Sequence, residues 1–207
     1  MIVNPYDFTD DENSLISLNF SNHDDWYKPV FDGVRENLRN HLRTEQNNKC
    51  CYCQQELGFD LKEVDIEHII PKSEISYFTF HNKNLALSCP ACNTIKHDKS
   101  VFIKSIKLKK YPVNSKNIKI IHPHFDNYDK NIQILDDSVY AARTLKGSET
   151  ISICGLYRFW EVIEKAKKFR TKKSPIANMV EEIRQGGPVV DELSDFLVSI
   201  IKKAKMQ

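Results

Sequence analysis

Two Cys-x-x-Cys pairs, in the segments KCCYCQQEL and SCPAC, constrain the fold of this chain more than any other feature. Cys50 and Cys53 form the first pair, and Cys89 and Cys92 form the second. Together they supply four thiolates, which fill the tetrahedral shell of a zinc ion and leave no position for water. We therefore predict a structural zinc site that fastens together the two ends of the intervening segment. Cys51 is an alternative to Cys50, although the two-residue gap favours Cys50.

The cellular compartment limits what else the cysteines can do. The sequence has neither a secretory leader nor an apolar run long enough to span a membrane, which predicts a cytoplasmic protein. Thiols stay reduced in that compartment, so six cysteines indicate metal binding rather than disulfides. A redox role is disfavoured because there are two pairs and no βαβ pattern. We expect Cys154, which stands alone among apolar residues, to be buried in the core.

The composition is that of a globular protein and does not identify a partner. Hydrophobic residues make up 41% and charged residues 28% of the 207 positions, which is enough to build a core. The formal net charge of +2 is too small to indicate a nucleic-acid-binding protein. The segment from Lys96 to Lys119 is nevertheless rich in lysine. It fits either a phosphate-facing surface or a solvated loop.

Hydrophobic periodicity divides the chain into three parts, residues 1–48, 49–110 and 111–207. Valine and leucine recur at helical spacing between residues 26 and 48, which predicts one amphipathic helix after a polar, irregular start. Residues 49–98 are expected to form short elements, and the alternation in residues 99–150 predicts short strands. From about residue 150 the pattern is helical, and the final apolar stripes suit either a core or a docked partner. The predicted fold class is α+β, with helices packed around a small centre.

The segment between the cysteine pairs, VDIEHIIPKS, places an acid and an imidazole side by side on a predicted strand. Glu67 and His68 point to opposite faces of an extended chain, so they cannot share one metal ion without distortion. They can serve one substrate in two roles, with the carboxylate holding a cation and the free imidazole taking a proton from water. Asn93 would open a short helix, with Lys96 and His97 one turn further on. A strand acid and a helix amide form an oxygen-rich site that suits Mg²⁺ or Mn²⁺.

The order of these motifs resembles that of the HNH (ββα-metal) nucleases. The similar pieces lie within about residues 49–98 and read CCYC, DIEHIIPKS, NKNLALSCPACN and TIKHDK. The resemblance implies a zinc-stapled ββα-metal core surrounded by α-helices, and hydrolysis of phosphodiester bonds in DNA or in RNA such as a tRNA. It also implies a role for individual residues, which are taken in turn below.

In that family a histidine activates water, and His68 resembles this general base. Asn84 resembles the middle residue of the motif, which orders the loop and the base. The resemblance further implies that Glu67 and Asn93 bind the catalytic divalent ion. The residues expected to contact the substrate are Lys72, Lys96 and His97.

The sequence departs from the commonest form of this motif at one position. The residue before the histidine is Glu67 rather than aspartate, and Asp65 lies on the same strand face two residues earlier. Either carboxylate can therefore be the main acidic ligand, with Glu67 favoured by adjacency. The last position of the motif is also open, because His97 follows Asn93 by one helical turn.

Downstream, HPHFDNYDKNI and GLYRFW resemble the PtuB-type HNH nucleases of Septu and retron anti-phage defence systems. This weaker resemblance implies an antiviral effector that binds an ABC-like ATPase of the PtuA type. In some systems it implies a retron reverse transcriptase with its DNA–RNA product as well. His122 and His124, in the same stretch, are expected to belong to a structured loop rather than to a second metal site.

The residues leave one alternative open, a non-catalytic zinc-finger module that binds nucleic acid or protein through its lysines. The set of His68, Glu67 and Asn93 favours the nuclease, because a binding module has no need of an acid and an imidazole inside its zinc loop.

Overall fold

The computed structural model describes residues 1–105, 108–135 and 139–158, which form short helices and strands. The α-helices are α1 (Asp10–Asn19), α2 (Asp32–Glu45), α3 (Pro90–Lys96) and α4 (Leu145–Ile153). The strands are β1 (Asp65–His68), β2 (Leu85–Ser88), β3 (Ile132–Leu135) and β4 (Val139–Ala142). Short 3₁₀ helices span His23–Tyr27, Pro29–Phe31, Leu61–Glu63, Ser76–Phe78 and Asn82–Asn84. The predicted α+β class is confirmed.

An antiparallel hairpin, β1 with β2, lies between the two cysteine pairs and leads directly into α3. Asp65 pairs with Ser88 at one end of the hairpin, and His68 pairs with Leu85 at the other. Pro90 occupies the first turn of α3, where a missing backbone N–H is tolerated. Within the described part of the chain, β2 covers only one edge of β1.

Helix α2 packs its apolar face into the core through Val34, Leu38 and Leu42, as the helical spacing predicts. The helix is shorter than the predicted span of residues 26–48. Pro29 interrupts it near its start, because proline cannot donate the intrahelical hydrogen bond, and the chain forms 3₁₀ turns there instead. Val30, which belongs to the predicted stripe, is 41% exposed as a result.

The first 25 residues, expected to be irregular, contain α1. A capping box fixes its start: Thr9 accepts a hydrogen bond from the Glu12 backbone N–H, and the Glu12 carboxylate accepts one from the Thr9 N–H. Glu12 also accepts hydrogen bonds from Tyr6 Oη and from Asn37 Nδ2 of α2, at 2.9 Å each. This buried carboxylate therefore ties α1 to α2.

The region after α3 differs in part from the predicted short strands. β3 and β4 form an antiparallel hairpin, as expected. NIKIIHPHF instead forms a loop, joined to the rest by an isolated bridge between Phe102 and Ile118. Helix α4 begins at Leu145, before the predicted helical region, and Cys154 behind it is buried as predicted.

The predicted C-terminal helices lie beyond residue 158, outside the described residues. Within those residues, no helix has the length and apolar character needed to cross a membrane.

Candidate metal and catalytic site

The four predicted cysteine thiols converge on one point. The sulfur atoms of Cys50, Cys53, Cys89 and Cys92 all lie within 4.8 Å of one another, and Cys53 Sγ is 3.8 Å from Cys89 Sγ. Tetrahedral zinc with Zn–S bonds of about 2.3 Å places its sulfur ligands about 3.8 Å apart. The donor set and its spacing therefore fit zinc, and Cys51 lies outside the cluster.

Side chains from the later part of the chain surround this cluster. Tyr140 Oη donates to Cys53 O at 2.7 Å, and Tyr128 Oη donates to Tyr52 O at 2.8 Å. Arg158 Nη2 lies 3.4 Å from Cys92 Sγ, where its charge complements a thiolate. The two tyrosine hydrogen bonds hold the first cysteine turn in place, and no sequence motif predicts any of these contacts.

An open cleft of about 580 Å³ lies beside the hairpin. All four residues of β1 line it, together with Asn93 and Thr94 of α3. The N-terminal part of the chain supplies further lining residues, which include Trp26, Tyr27, Arg35 and Arg39. The cleft is thus bounded by segments that are far apart in sequence.

Asp65 and Asn93 meet within this cleft. Asn93 Nδ2 donates to Asp65 Oδ2 at 2.9 Å, so the amide and the carboxylate are neighbours across the gap between β1 and α3. Asn93 Oδ1 accepts no hydrogen bond from any described residue. An asparagine oxygen beside a carboxylate is a donor set that a hard cation such as Mg²⁺ or Mn²⁺ takes.

Glu67 has a different partner, the buried Lys96. The Lys96 Nζ lies 2.5 Å from Glu67 Oε1, and both side chains are at most 3% exposed. Tyr52 Oη also donates to Glu67 Oε1, at 3.0 Å. Burial raises the pKa of Glu67, and the Lys96 charge opposes that rise. This geometry differs from the expectation at two residues, because adjacency favoured Glu67 as the metal ligand and Lys96 was expected to contact phosphate.

His68 packs against Trp26 and is held by one hydrogen bond. Its Nε2 lies 3.1 Å from Thr79 O, and its ring meets the Trp26 ring edge to face at a centroid distance of 4.6 Å. A carbonyl oxygen only accepts, so Nε2 carries the proton and Nδ1 carries the lone pair. Burial lowers the pKa of His68 to about 3, and the nearby Lys72 charge acts in the same direction. The imidazole is therefore neutral at physiological pH.

Asn84 is fully buried and bonds to the backbone of two segments. It accepts from Ile70 N at 2.8 Å, and its Nδ2 donates to Ile70 O at 3.0 Å and to Phe78 O at 3.1 Å. Ile70 follows β1, and Phe78 precedes the carbonyl of Thr79 that holds the His68 ring. The amide therefore orders the loop that orients the imidazole, without reaching the cleft itself.

Lys72 and His97 both line the cleft, as a substrate-binding role requires. Lys72 Nζ lies 4.6 Å from the centroid of the exposed Tyr27 ring. His97 ends α3 with a φ of 46°, which is uncommon for a residue other than glycine, and its exposed ring contacts Asp98 at 2.7 Å. Its contact is with Asp98 rather than with the Asp65–Asn93 pair.

His122 and His124 belong to a structured loop, as expected. His122 Nε2 bonds Tyr111 Oη at 2.8 Å, and His124 Nε2 bonds Leu85 O at 2.9 Å. Within the described residues, the four-cysteine cluster is the only group of three or more His, Cys, Asp or Glu side chains close enough together to hold a metal ion.

Sequence reasoning missed the contribution of the N-terminal segment to the cleft. Trp26 packs on His68, and Arg35 and Arg39 of α2 also line the cleft. A signal was present in the sequence, because Arg35, Arg39 and Arg43 recur every four residues and so share one face of the helix. Nothing in the sequence, however, places that face beside β1.

Comparison with known families and proteins identifies the middle of the chain. Residues 50–99 match the family described as HNH endonuclease. The Septu protein PtuB of Bacillus thuringiensis is 29% identical over 110 residues, which cover 53% of this chain and 37% of that protein. A putative HNH endonuclease of retron Vc95, from Vibrio cholerae serotype O1 biovar El Tor, is 34% identical over 101 residues.

The second match covers 44% of this chain and 45% of the retron protein. The chain therefore spans less than half the length of either relative. No solved structure matches the chain significantly.

Proposed function

We propose that this chain, whose residues 50–99 belong to the HNH endonuclease family, is a metal-dependent endonuclease that hydrolyses phosphodiester bonds of nucleic acid. One observation supports the proposal above all. The oxygen-rich pair Asp65 and Asn93 and the neutral imidazole of His68 line the same open cleft. Phosphodiester hydrolysis needs a base for water and positive charge for the developing anion, and this cleft offers a place for both.

His68 acts as the general base in this proposal. Its Nδ1 lone pair accepts the proton of the attacking water, while Thr79 O and the Trp26 ring keep the imidazole in one orientation. A ring that is already neutral needs no prior deprotonation at physiological pH. Asn84 is a positioning residue, since it orders the loop that carries the Thr79 carbonyl.

Asp65 and Asn93 are the proposed ligands of the catalytic ion, which is Mg²⁺ or Mn²⁺. The pairing of Glu67 with Lys96 supports the choice of Asp65. The Glu67 carboxylate would have to leave a buried ion pair to bind a metal, and the Asp65 carboxylate would not. When bound, a divalent ion supplies positive charge to the phosphate and to the departing oxygen. The remaining ligands would be water and the substrate, as is usual for Mg²⁺.

The four-cysteine cluster is proposed to hold a structural zinc ion. Four thiolates close the coordination shell, so zinc there has no open position for catalysis. Its role is to fix the hairpin and the start of α3 against each other, and with them the cleft.

The biological role is proposed from the relatives, which are named as a Septu protein and a retron endonuclease. By this analogy the chain is an effector of an anti-phage defence system in the cytoplasm, working with a PtuA-type ATPase. In a retron context, a reverse transcriptase and its DNA–RNA product would also be partners. The substrate class within nucleic acids is left to the experiment, with DNA and RNA such as tRNA as the candidates.

The test is cleavage by the purified protein, alone and with a PtuA-type ATPase, in Mg²⁺ or Mn²⁺. Duplex DNA, single-stranded DNA and tRNA are supplied separately. We expect His68→Ala to slow cleavage by roughly 10²- to 10⁴-fold, because it removes the base. His41→Ala is the matched control, since His41 lies on α2 outside the cleft.

Equal cleavage by the wild type and His68→Ala would contradict the proposed role. Binding without cleavage under every condition would favour the non-catalytic zinc-finger module instead.

A further inference from the structure

Arg39 is a cation on the wall of the candidate active-site cleft, and it has no partner among the described residues. It lies on α2 and lines the cleft together with Asp65 and Asn93. None of the described residues hydrogen-bonds its guanidinium or lies within ion-pair distance, and its Nε is buried without a hydrogen bond. A buried N–H donor without an acceptor is unfavourable, and the described part of the chain provides no acceptor for this guanidinium.

The two neighbouring arginines on the same helix face are different. Arg35 donates to Trp26 O and pairs with Asp32, and its Nη1 also lies 3.3 Å from Lys28 O. Arg43 donates to Asn48 Oδ1 and to Gly58 O, the latter at 2.8 Å. Both are therefore held by the fold. Arg39, between them, is the member of the series that remains available to a ligand.

The electrostatic surroundings indicate that this ligand is an anion. Arg35 and Arg43 each lie four residues from Arg39 on the helix, a spacing at which like charges repel. Burial and these two charges lower the pKa of Arg39, while the carboxylates of Glu36 and Asp65 act against that shift. A divalent ion at Asp65 would neutralise the cleft carboxylate that acts on Arg39. The positive charge of Arg39 would then be left for a further anion.

We propose that Arg39 binds a phosphate group of the nucleic-acid substrate and so positions the strand in the cleft. A guanidinium presents several N–H donors in a plane, which matches the oxygens of a phosphate. The inference rests on the proposed nuclease function, and it adds a substrate contact from α2, outside the matched residues 50–99.

Binding is measured separately from cleavage. The parent protein carries His68→Ala, so that a labelled oligonucleotide of the cleaved type stays intact, and its dissociation constant is determined by fluorescence anisotropy at several salt concentrations. Arg39→Gln in this parent should weaken binding by about tenfold, because it removes a charge-assisted hydrogen bond. The slope of log affinity against log salt concentration should also become shallower by about 1, which corresponds to the loss of one phosphate contact.

Two further variants separate charge at this site from charge in general. Lys130→Gln removes one charge from an exposed loop outside the cleft and should leave both the affinity and the slope unchanged. Arg39→Lys keeps the charge and should restore the slope, with part of the affinity. With His68 intact, Arg39→Gln should raise KM more than it lowers kcat.

The midpoint of unfolding of Arg39→Gln tests whether Arg39 has a merely structural role. Arg39→Gln should unfold at or above the midpoint of the parent, because no described residue bonds the guanidinium and like-charge repulsion is relieved. A parent-like affinity and slope for Arg39→Gln would overturn the phosphate assignment while leaving the nuclease proposal in place. If the parent bound no nucleic acid, the assignment would be overturned as well. Binding by the parent without cleavage by the wild type would instead contradict the proposed function alone.

Discussion

At the scale of single residues, the site depends on two acids that lie on the same face of β1 and meet different partners on α3. Asp65 faces Asn93 in the cleft, and Glu67 faces Lys96 in the core. The two acids are two residues apart on the strand, and their partners are three residues apart on the helix. Each pair therefore shares one face of its element, and the two contacts lie next to each other. The partner and the degree of burial, rather than the type of acid, separate a candidate metal ligand from a structural ion pair.

The buried ion pair makes a prediction about stability. Lys96→Met leaves the Glu67 carboxylate in the core without its cation, so we expect the free energy of unfolding to fall by about 3–5 kcal/mol. Urea unfolding followed by tryptophan fluorescence measures the change. Lys62→Met, at an exposed lysine, should change the free energy by less than about 0.5 kcal/mol.

A second substitution shows whether the charge is responsible. Glu67→Leu in the Lys96→Met background removes the stranded carboxylate and should recover part of the lost stability. If Lys96→Met proved as stable as the wild type, the pair would not be buried as described.

Sequence reasoning identified most of the candidate residues but not the partner of each acid. Spacing alone predicted the four converging cysteines, because a Cys-x-x-Cys pair brings both thiols to one side of a tight turn. The choice between Asp65 and Glu67 depends on which α3 side chain faces each of them. A single sequence does not show how α3 is aligned along β1. The burial of Lys96 was not predicted for the same reason, since a lysine on a short helix is usually solvated.

At the scale of elements, the ββα unit is too short to be stable by itself. Its strands have four residues each and α3 has seven, so tertiary contacts must hold them. The cysteine cluster joins the turn before β1 to the start of α3, and tyrosines from the later part of the chain bond to the same turn. The cleft therefore depends on contacts from outside the unit as much as on the hairpin.

This dependence predicts how the protein responds to loss of metal. Cys89→Ser should lose its zinc and unfold the hairpin region, because binding and folding of such a site are coupled. Cys51→Ser is the matched control, since Cys51 is buried nearby but lies outside the cluster. Zinc is counted by a chelating dye after denaturation, and folding is followed by circular dichroism. A folded Cys89→Ser protein with its full zinc content would contradict the assignment.

Some elements were readable from the sequence and others were not. The stripe of Val34, Leu38 and Leu42 correctly predicted α2, but Pro29 cut its start short. α1 was missed although Thr9 and Glu12 form a capping-box pattern, because its apolar residues Leu15, Ile16 and Leu18 make no sustained helical stripe, and Leu18 is exposed. The start of α4 was missed because Leu145–Glu149 follow closely on the strands of the second hairpin.

At the scale of the whole molecule, the cleft is a joint product of the matched domain and the segment before it. Residues 50–99 supply the strand, the imidazole and the helix amide. Trp26 and Arg39 come from outside that range and also line the cleft. A family match of the middle segment could not have located these two residues, because their position follows from the packing of the N-terminal segment against the hairpin.

The central assignment is that Asp65, with Asn93, holds the catalytic ion beside His68. It is tested most directly by the rate of Mg²⁺- or Mn²⁺-dependent cleavage for Asp65→Asn and Glu67→Gln, with zinc content and folding checked for each. We expect Asp65→Asn to lose at least about 100-fold in rate while staying folded, because a metal ligand is lost. Glu67→Gln should be less stable and yet cleave within a few-fold of the wild type wherever it is folded. Wild-type cleavage by Asp65→Asn, together with loss of cleavage by folded Glu67→Gln, would contradict the assignment.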